Sequence, residues 1–425
     1  MAAKESSRTM KAARSAGRIG VVASVAMNLA WLAMYIRQRY GEITTVEASR
    51  GKPPVTQDSV VILDHGDPVM YEEFWRREGD SASILIPAWQ TMSYFSNLGG
   101  ICCFLEPGLE REVRRLHRLV GNAVVDGYHV IVGTGSTQLF QAVLYAISPA
   151  SDGTPIDVVS PAPYYSCYPV ASSFLNSGLY RWGGDANTFA GDDTSCVEVV
   201  CSPNNPDGGI RHAVVKSKSS KAIYDFAYYW PQYTPITEAA AHDVMLFTFS
   251  KCSGHAGTRL GWALVKDTEV AKKMTKFMEL TTIGVSKDSQ LRAAKILGAI
   301  CNGYEQLPSP AGQTRSHLFH FAREKMAARW TRLRAALAAS DIFTLPDELS
   351  EYCGFFKKTV TANPAFAWLR CKKDGIEDLE SFLRENKIVT RGGTKFGVDG
   401  RVVRVSMVDT DQAFNVFLDR LATMK

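Results

Sequence analysis

The stretch Val244-Met-Leu-Phe-Thr-Phe-Ser-Lys-Cys-Ser-Gly-His-Ala-Gly-Thr-Arg-Leu-Gly-Trp-Ala-Leu-Val265 decides the fold of this chain. Its apolar ends predict two buried strands, and its polar, glycine-rich middle predicts the turn between them. Ser250 and Lys251 stand at the end of the first predicted strand, and Arg259 follows in the turn. Because a lysine directly after a buried strand has an anchored stem, its amine points into the adjacent cleft and loses its proton more easily.

These three side chains suit a cofactor that carries both a carbonyl and a phosphate. The amine of Lys251 can attack the carbonyl, and the hydroxyl of Ser250 and the guanidinium of Arg259 can bind the phosphate. An enzyme that uses pyridoxal phosphate (PLP) needs both kinds of group. The alternative is a surface lysine at the end of a strand, but the convergence of several features favours the functional interpretation.

Between residues 100 and 300, predicted strands alternate with helices or long crossings. The strands are predicted at residues 129–132, 156–159, 196–201, 222–224 and 245–249. This order predicts an α/β fold with a mostly parallel sheet that is covered on both faces. Nearly every polar candidate follows the carboxyl end of a strand, where open α/β sheets bind ligands.

The pattern changes after about residue 312, where a long amphipathic helix is followed by two strands and two helices. The helices are predicted at residues 323–339, at 379–385 and up to Leu421, and the strands at 366–369 and 402–406. This order predicts a smaller α+β domain. The predicted segments are a basic tail (1–18), a membrane anchor (19–36), a linker (37–59), an N-terminal arm (60–98), a large domain (99–308) and a small C-terminal domain (309–425).

The charge of the chain is concentrated at its N-terminus. The net charge is +5, and the first 18 residues carry +4 of it. The remainder is close to neutral, so nothing indicates a nucleic-acid partner.

Residues 19–36 contain no charged side chain, and basic residues flank them. Eighteen helical residues at about 1.5 Å each come near the ~30 Å of a hydrocarbon core, which predicts a single membrane span. A cleaved signal peptide or a transit sequence is the alternative. The side of the membrane stays open. The basic tail favours a cytosolic N-terminus with the remainder on the far side, but nine scattered cysteines and the lack of any Asn-X-Ser/Thr site favour the opposite.

Two motifs offer a phosphate site and an aromatic face. Gly133-Thr-Gly-Ser-Thr-Gln138 brings hydroxyls and backbone N–H groups to a helix start, which suits a phosphate, although Ser136 also suits a plain helix cap. Tyr165 follows Pro163 at a strand end, where its ring could stack on a pyridine, although a core position is an equal alternative.

Three further motifs supply polar groups for a pyridine ring and a carboxylate. Asp225 follows a strand and could hold a pyridine nitrogen protonated, unless it caps a helix. Asn205, in a Pro-Asp-Gly turn segment, and Tyr228 could share a phenolic oxygen. Arg404 lies on a predicted strand, where it could bind a substrate carboxylate or be a solvated surface residue.

Together these motifs resemble fold-type I PLP-dependent enzymes and, more narrowly, the plant tryptophan aminotransferase-related family, kin of the alliinases. The similarity covers about residues 60–425 and rests on specific motifs. These are Leu63-Asp-His-Gly-Asp-Pro68, Met92-Ser-Tyr-Phe-Ser96, Phe104-Leu-Glu-Pro107, Gly133-Thr-Gly-Ser-Thr-Gln138, Asp225-Phe-Ala-Tyr-Tyr-Trp-Pro231 and Phe247-Thr-Phe-Ser-Lys251. The Cys-rich module that precedes the catalytic domain of alliinases is absent, and an apolar segment stands there instead.

The resemblance implies a role for each matching residue. Lys251 would hold PLP covalently, and Asp225 would pair with the ring nitrogen. Asn205 and Tyr228 would bind the phenolic oxygen, and Tyr165 would stack on the ring. The phosphate would be bound by Ser136, Thr137, Ser250 and Arg259. Tyr94 would reach the phosphate of a neighbouring subunit, which implies a homodimer with shared active sites, and Arg404 would bind the substrate's α-carboxylate.

The resemblance also implies an activity and a location. The family's reaction transfers the amino group of L-tryptophan to a 2-oxo acid, pyruvate or 2-oxoglutarate, and gives indole-3-pyruvate in auxin biosynthesis. Some members of the tryptophan branch carry an endoplasmic-reticulum membrane anchor. An alliinase-type carbon–sulfur lyase would use the same PLP-binding residues and is the first alternative. A non-catalytic membrane-anchored scaffold is the second.

Overall fold

A seven-stranded sheet forms the centre of the computed structural model. Its strands lie in the order β2-β8-β7-β6-β5-β3-β4. They are β2 (His129–Gly133), β3 (Ile156–Ser160), β4 (Tyr180–Asp185), β5 (Cys196–Cys201), β6 (Lys221–Asp225), β7 (Val244–Thr248) and β8 (Gly261–Val265). The strands from β7 to β4 are parallel, whereas β8 runs antiparallel to both β2 and β7. The quoted segment Val244–Val265 therefore contains the antiparallel β7–β8 pair, and both strands are fully buried.

The structure describes Trp31 and residues 54–148, 154–189, 195–305, 317–338 and 340–424. The predicted basic tail, the membrane anchor apart from Trp31, and the linker up to residue 53 lie outside the described residues. Across the described ranges, we find no helix whose length and apolar character would let it span a bilayer. The residues from Val55 onward form one compact unit.

Helices pack against the central sheet and against one another. The long ones are Pro107–Val120, Gly135–Ile147, Thr268–Thr282 and Lys287–Glu305, and Glu72–Glu78 and Cys167–Phe174 are shorter. Local chemistry sets their ends. Pro107 occupies the first helical turn, where its missing N–H costs nothing, and Gly121 ends the same helix with a φ of 73°. The side chain of Asp267 accepts a hydrogen bond from the N–H of Val270 and so caps the helix Thr268–Thr282.

A second, four-stranded antiparallel sheet lies in the C-terminal part, in the order β14-β15-β12-β9. Its strands are β9 (Phe343–Thr344), β12 (Phe366–Cys371), β14 (Arg391–Gly392) and β15 (Val402–Ser406), and the helices Leu318–Ala338, Leu379–Glu385 and Asp411–Thr423 accompany them. Arg404 pairs with Trp368 on one side and with Arg391 on the other. Two small pairs complete the strands: β1 (Val61–Ile62) with β13 (Ile388–Val389), and β10 (Ser350–Cys353) with β11 (Lys358–Thr361).

The predicted α/β architecture with a mostly parallel sheet is confirmed, but one boundary at its centre is wrong. The first strand of the quoted stretch ends at Thr248, and Phe249–Cys252 forms a helical turn. The hydroxyl of Thr248 accepts a hydrogen bond from the N–H of Ser250 at 3.3 Å, so Thr248 caps this turn and ends the strand. Strand β4 has no counterpart among the predicted strands. The domain boundaries stay a prediction.

Candidate active site

A cavity of about 250 Å³ opens at the carboxyl ends of β5, β6 and β7, and residues of β14 and β15 complete its wall. Every site residue predicted from the sequence lines it, apart from Tyr94. The predicted residues that it brings together are Ser136, Thr137, Tyr165, Asn205, Asp225, Tyr228, Ser250, Lys251, Arg259 and Arg404. Polar and charged side chains from distant parts of the chain therefore line one cavity.

The amine of Lys251 lies at the cavity wall and donates a hydrogen bond to the carbonyl oxygen of Gly66. Burial lowers the pKa of this amine from 10.5 to about 8, and the positive charges of Arg404 and Arg259 act in the same direction. The nearby Asp67 opposes them. At pH 7 roughly a tenth of the amine is therefore unprotonated and able to act as a nucleophile or a base, far more than for a lysine of ordinary pKa.

The backbone around Lys251 is fixed from two sides. Tyr233 donates its hydroxyl hydrogen to the carbonyl oxygen of Lys251 at 3.2 Å, and the side-chain amide of Gln232 donates to the same oxygen at 3.2 Å.

Gly66 faces the amine, and a Cβ there would lie 2.8 Å from the ring of Phe366 and 3.4 Å from the amine itself. A side chain at position 66 would therefore crowd the nucleophile, so this close approach needs glycine.

Asp225 ends β6 and is buried in the cavity wall. One of its carboxylate oxygens accepts a hydrogen bond from the hydroxyl of Tyr168 at 2.9 Å, and the other accepts one from the N–H of Ala227 at 3.1 Å. Burial raises the pKa of Asp225, whereas both hydrogen bonds lower it. The carboxylate is thus oriented by two donors and lies where a cationic partner would stabilise its charge.

The opposite end of the cavity is built for an anion. Ser136 lies in the first turn of the helix Gly135–Ile147, and Arg259 packs against the start of that helix. Gly135 has a φ of +74°, and a Cβ on it would lie only 2.6 Å from a guanidinium nitrogen of Arg259. Arg259 itself has a φ of +53° in the left-handed region, which a non-glycine residue adopts only when its surroundings impose it. Helix N–H groups, hydroxyls and a guanidinium converge here, and this combination binds phosphates.

Arg404 is almost fully buried, which excludes the alternative of a solvated surface arginine. It donates to the side-chain oxygen of Asn205 at 2.9 Å and to the carbonyl oxygen of Asp64 at 2.5 Å. Its guanidinium carbon lies 4.0 Å from the centre of the Phe366 ring. Burial lowers the pKa of Arg404 to about 10, so the side chain stays charged at neutral pH and is held ready for a carboxylate.

The aromatic residues predicted for the site lie beside these groups. The amine of Lys251 lies 5.9 Å from the centre of the Tyr228 ring. Tyr165 meets Tyr168 edge to face, with ring centres 5.4 Å apart, and burial raises the pKa of Tyr165 to about 12. Burial also raises the pKa of Tyr228, so both phenols stay neutral at physiological pH.

Tyr94 lies away from the cavity and is 67% exposed. Its expected partner was a second subunit, so this position neither supports nor contradicts the prediction. The cavity also includes Asp64 and Gly66, which belong to a quoted motif but had no predicted role, and Phe366 and Arg391, which no motif contains. Tyr168, which orients Asp225, was missed too. Its position three residues after Tyr165, within reach of the same helical turn, was the available signal.

The fold is that of fold-type I aminotransferases. An aspartate aminotransferase double mutant from Thermus thermophilus superposes with a TM-score of 0.59 at 18% identity over 86% of this chain and 91% of that chain. A methionine aminotransferase, YbdL from Escherichia coli, superposes with a TM-score of 0.58 at 14% identity, over 87% of this chain and 94% of that chain. Identities this low establish the fold alone.

The chain belongs to the alliinase family, because the family profile described as "Allinase" matches residues 61–425. Tryptophan aminotransferase-related protein 1 of rice (Oryza sativa subsp. japonica) is 67% identical, over 97% of this chain and 96% of that protein. Tryptophan aminotransferase-related protein 2 of Arabidopsis thaliana is 49% identical over 90% of this chain and 85% of its own length. An alliin lyase of Allium cepa is 35% identical over 84% of this chain and 75% of its own length. The resemblance seen in the motifs is confirmed.

Proposed function

We propose that this protein is a PLP-dependent L-tryptophan aminotransferase. It transfers the amino group of tryptophan to a 2-oxo acid, pyruvate or 2-oxoglutarate, and so forms indole-3-pyruvate for auxin biosynthesis. The proposal rests on one observation above all. The Lys251 amine of lowered pKa, the buried carboxylate of Asp225 and the anion-binding groups around Arg259 all face the same cavity. The names of the relatives with 67% and 49% identity support tryptophan as the amino donor.

The residues of the cavity fit PLP. The close approach of Arg259 to Gly135, with Ser250 and the helix start beside it, suits the phosphate, and the buried Asp225 suits a protonated ring nitrogen. When bound, PLP supplies an electron sink for the carbanion at the substrate Cα. In the proposed arrangement Lys251 would attach the cofactor, Asp225 would pair with its ring nitrogen, and Tyr165 would stack on its ring. Its phenolic oxygen would be bound by Asn205 and Tyr228, and its phosphate by Ser136, Thr137, Ser250 and Arg259.

Two side chains would act on the substrate directly. Arg404 binds the α-carboxylate, and its hydrogen bond to Asn205 keeps the guanidinium oriented while the substrate enters. The nitrogen of Lys251 takes the proton from the substrate Cα, and a pKa of about 8 suits a base that works near neutral pH. Because the same cavity receives the amino acid and then the 2-oxo acid, we expect ping-pong kinetics.

The decisive assay compares two reactions of the purified protein. Tryptophan with a 2-oxo acid should give indole-3-pyruvate, whereas an alkyl-cysteine sulfoxide should give little pyruvate. The reverse result would favour the carbon–sulfur lyase, which the 35% identical alliin lyase keeps as the second candidate. Lys251→Ala should abolish turnover, and mass spectrometry after borohydride reduction should find the pyridoxyl group on Lys251. A protein with no borohydride-sensitive cofactor band would favour a non-catalytic scaffold instead.

We propose further that the enzyme is a homodimer. Leu85, Trp89, Met92, Tyr94 and Leu98 are each between 67% and 83% exposed within a short segment of the N-terminal arm. Such a run of exposed apolar side chains is typical of an interface. Tyr94 would reach the phosphate of the partner's cofactor. Light scattering should give twice the chain mass, and Tyr94→Ala should weaken PLP binding. A fully active monomer would contradict the proposal.

The proposed location is the endoplasmic-reticulum membrane, with residues 19–36 as a single span and the side of the catalytic part undetermined. The support is the uncharged run of eighteen residues between basic flanks. The full chain should resist carbonate extraction from microsomes, whereas a chain that starts at residue 37 should be released. Protease protection of a C-terminal tag would then determine the side.

A further inference from the structure

A second arginine, Arg391, lines the same cavity as Arg404. The two residues are direct partners across the antiparallel strands β14 and β15. Residues in such a pair have Cβ atoms about 4.5–5.5 Å apart, and like charges in these positions repel each other. The positive charge of Arg391 contributes to the lowered pKa of Arg404, after burial. The cavity therefore concentrates more positive charge than a single α-carboxylate needs.

The two arginines are held very differently. Arg404 is 3% exposed and has hydrogen bonds of 2.9 and 2.5 Å to Asn205 and Asp64. The side chain of Arg391 is 31% exposed and donates at 3.2 Å to the hydroxyl of Ser166. Its other contact, to the carboxylate of Asp64, is 3.9 Å long, which exceeds hydrogen-bond length. An incoming carboxylate can displace contacts of this kind at little cost, so Arg391 is available to a ligand.

We propose that Arg391 binds the second carboxylate of a dicarboxylic 2-oxo acid, so that the amino acceptor is of the 2-oxoglutarate type rather than pyruvate. This inference rests on the proposed function and specifies its second substrate. Tryptophan and 2-oxoglutarate then give indole-3-pyruvate and glutamate, with the amino group as the transferred unit. Both substrates offer an α-carboxylate to Arg404. While the neutral indole side chain is bound, Arg391 stays with Ser166 and Asp64, and when the acceptor enters, its distal carboxylate replaces Asp64.

The first test measures binding without turnover. Glutarate and butyrate have similar chains, but only glutarate carries a second carboxylate. Calorimetric titration of the holoenzyme should show that glutarate binds about tenfold or more tightly than butyrate. Arg391→Gln should remove this difference by weakening glutarate binding, and Arg391→Lys should restore part of it. Arg370→Gln is the matched control, because Arg370 is half exposed on the neighbouring strand β12 and pairs with Asp399 at 3.3 Å.

The second test follows the two half-reactions separately. Arg391→Gln should lower kcat/KM for 2-oxoglutarate, relative to the values for pyruvate and tryptophan, by about 10- to 100-fold, the range for losing a charged hydrogen bond. Equal losses for all three substrates would overturn the proposal, because Arg391 would then serve the common carboxylate or the shape of the site. Equal binding of glutarate and butyrate to the wild type would overturn it as well. If the wild type binds glutarate more tightly than butyrate but does not convert tryptophan to indole-3-pyruvate, the proposed function fails and the second carboxylate site stands.

Discussion

Replacing Lys251 by methionine should stabilise the cofactor-free protein while it abolishes catalysis. Burial lowers the pKa of the amine from 10.5 to about 8, so the charged form costs the folded state free energy. At about 1.4 kcal/mol per pKa unit, this cost is about 3 kcal/mol at neutral pH. Methionine forfeits the hydrogen bond to Gly66, worth about 1 kcal/mol, so we expect a net gain of about 2 kcal/mol in the free energy of unfolding.

The stability advantage of Lys251→Met over the wild type should shrink as the pH rises above about 8. Below the folded-state pKa of about 8, the amine is charged in the folded and the unfolded chain, and the full cost is present. As the pH rises from there toward 10.5, the folded amine is already neutral while the unfolded amine still binds a proton. The unfolded state then binds more protons, so the wild type gains stability with pH and the gap to Lys251→Met closes.

Urea unfolding of the apoproteins, followed by tryptophan fluorescence at a series of pH values, measures this gap. Lys276→Met is the matched control, because Lys276 is 52% exposed on a helix and pairs with Glu279. That variant should show neither the gain nor the pH dependence. A gap for Lys251→Met that stays constant across the alkaline range would refute the reasoning from a desolvated amine. So would a variant that is less stable than the wild type at neutral pH.

Further variants test the other parts of the site. Asp225→Asn should lower kcat by about 100-fold or more, because the ring nitrogen loses its counter-charge, with an unchanged circular dichroism spectrum. Gly135→Ala should weaken PLP binding about tenfold, since the new Cβ meets Arg259 at 2.6 Å; Gly127→Ala, at a similar φ of +79° in open space, should not. Arg404→Lys should raise the KM for tryptophan by about tenfold or more, because lysine cannot form the bidentate contact. Unchanged kinetics or cofactor titrations in these variants would contradict the assigned roles.

The strands of the sheet could be predicted where burial on both faces imposes a continuous apolar run. Cys196–Cys201 and Val402–Ser406 have both predicted boundaries, and every residue in them is buried. The strand β4 was missed because it lies at the edge of the sheet, where its sequence Tyr-Arg-Trp-Gly-Gly-Asp needs no such run. The end of β7 was misplaced for another reason. Phe249 continues the apolar pattern, but the hydroxyl of Thr248 caps a helical turn there, and hydrophobicity does not record a cap.

Site residues placed by the end of a strand could be found from the sequence, whereas those placed by long-range contacts could not. Asp225 ends β6 and Lys251 lies in the helical turn that follows β7, so the fold carries both to one edge of the sheet whatever the rest of the chain does. Gly66 contacts Lys251 from 185 residues away, and no local pattern encodes that contact. Tyr168 contacts Asp225 from 57 residues away, and only its spacing from Tyr165 hints at the site.

Arg404 and Arg391 show the same difference between what a local pattern predicts and what only the fold reveals. Arg404 interrupts a run of valines in a five-residue buried strand, and a charge in a buried strand is unusual enough to mark a site. Arg391 lies directly opposite, but its strand has only two residues and glycines follow it, so nothing in the sequence separates it from a surface arginine. Pairing across the sheet gives Arg391 its place in the cavity. Arg391, which we propose distinguishes one amino acceptor from another, is therefore visible only once strand register is known. Arg404, proposed to bind the carboxylate common to all substrates, can be found from the sequence.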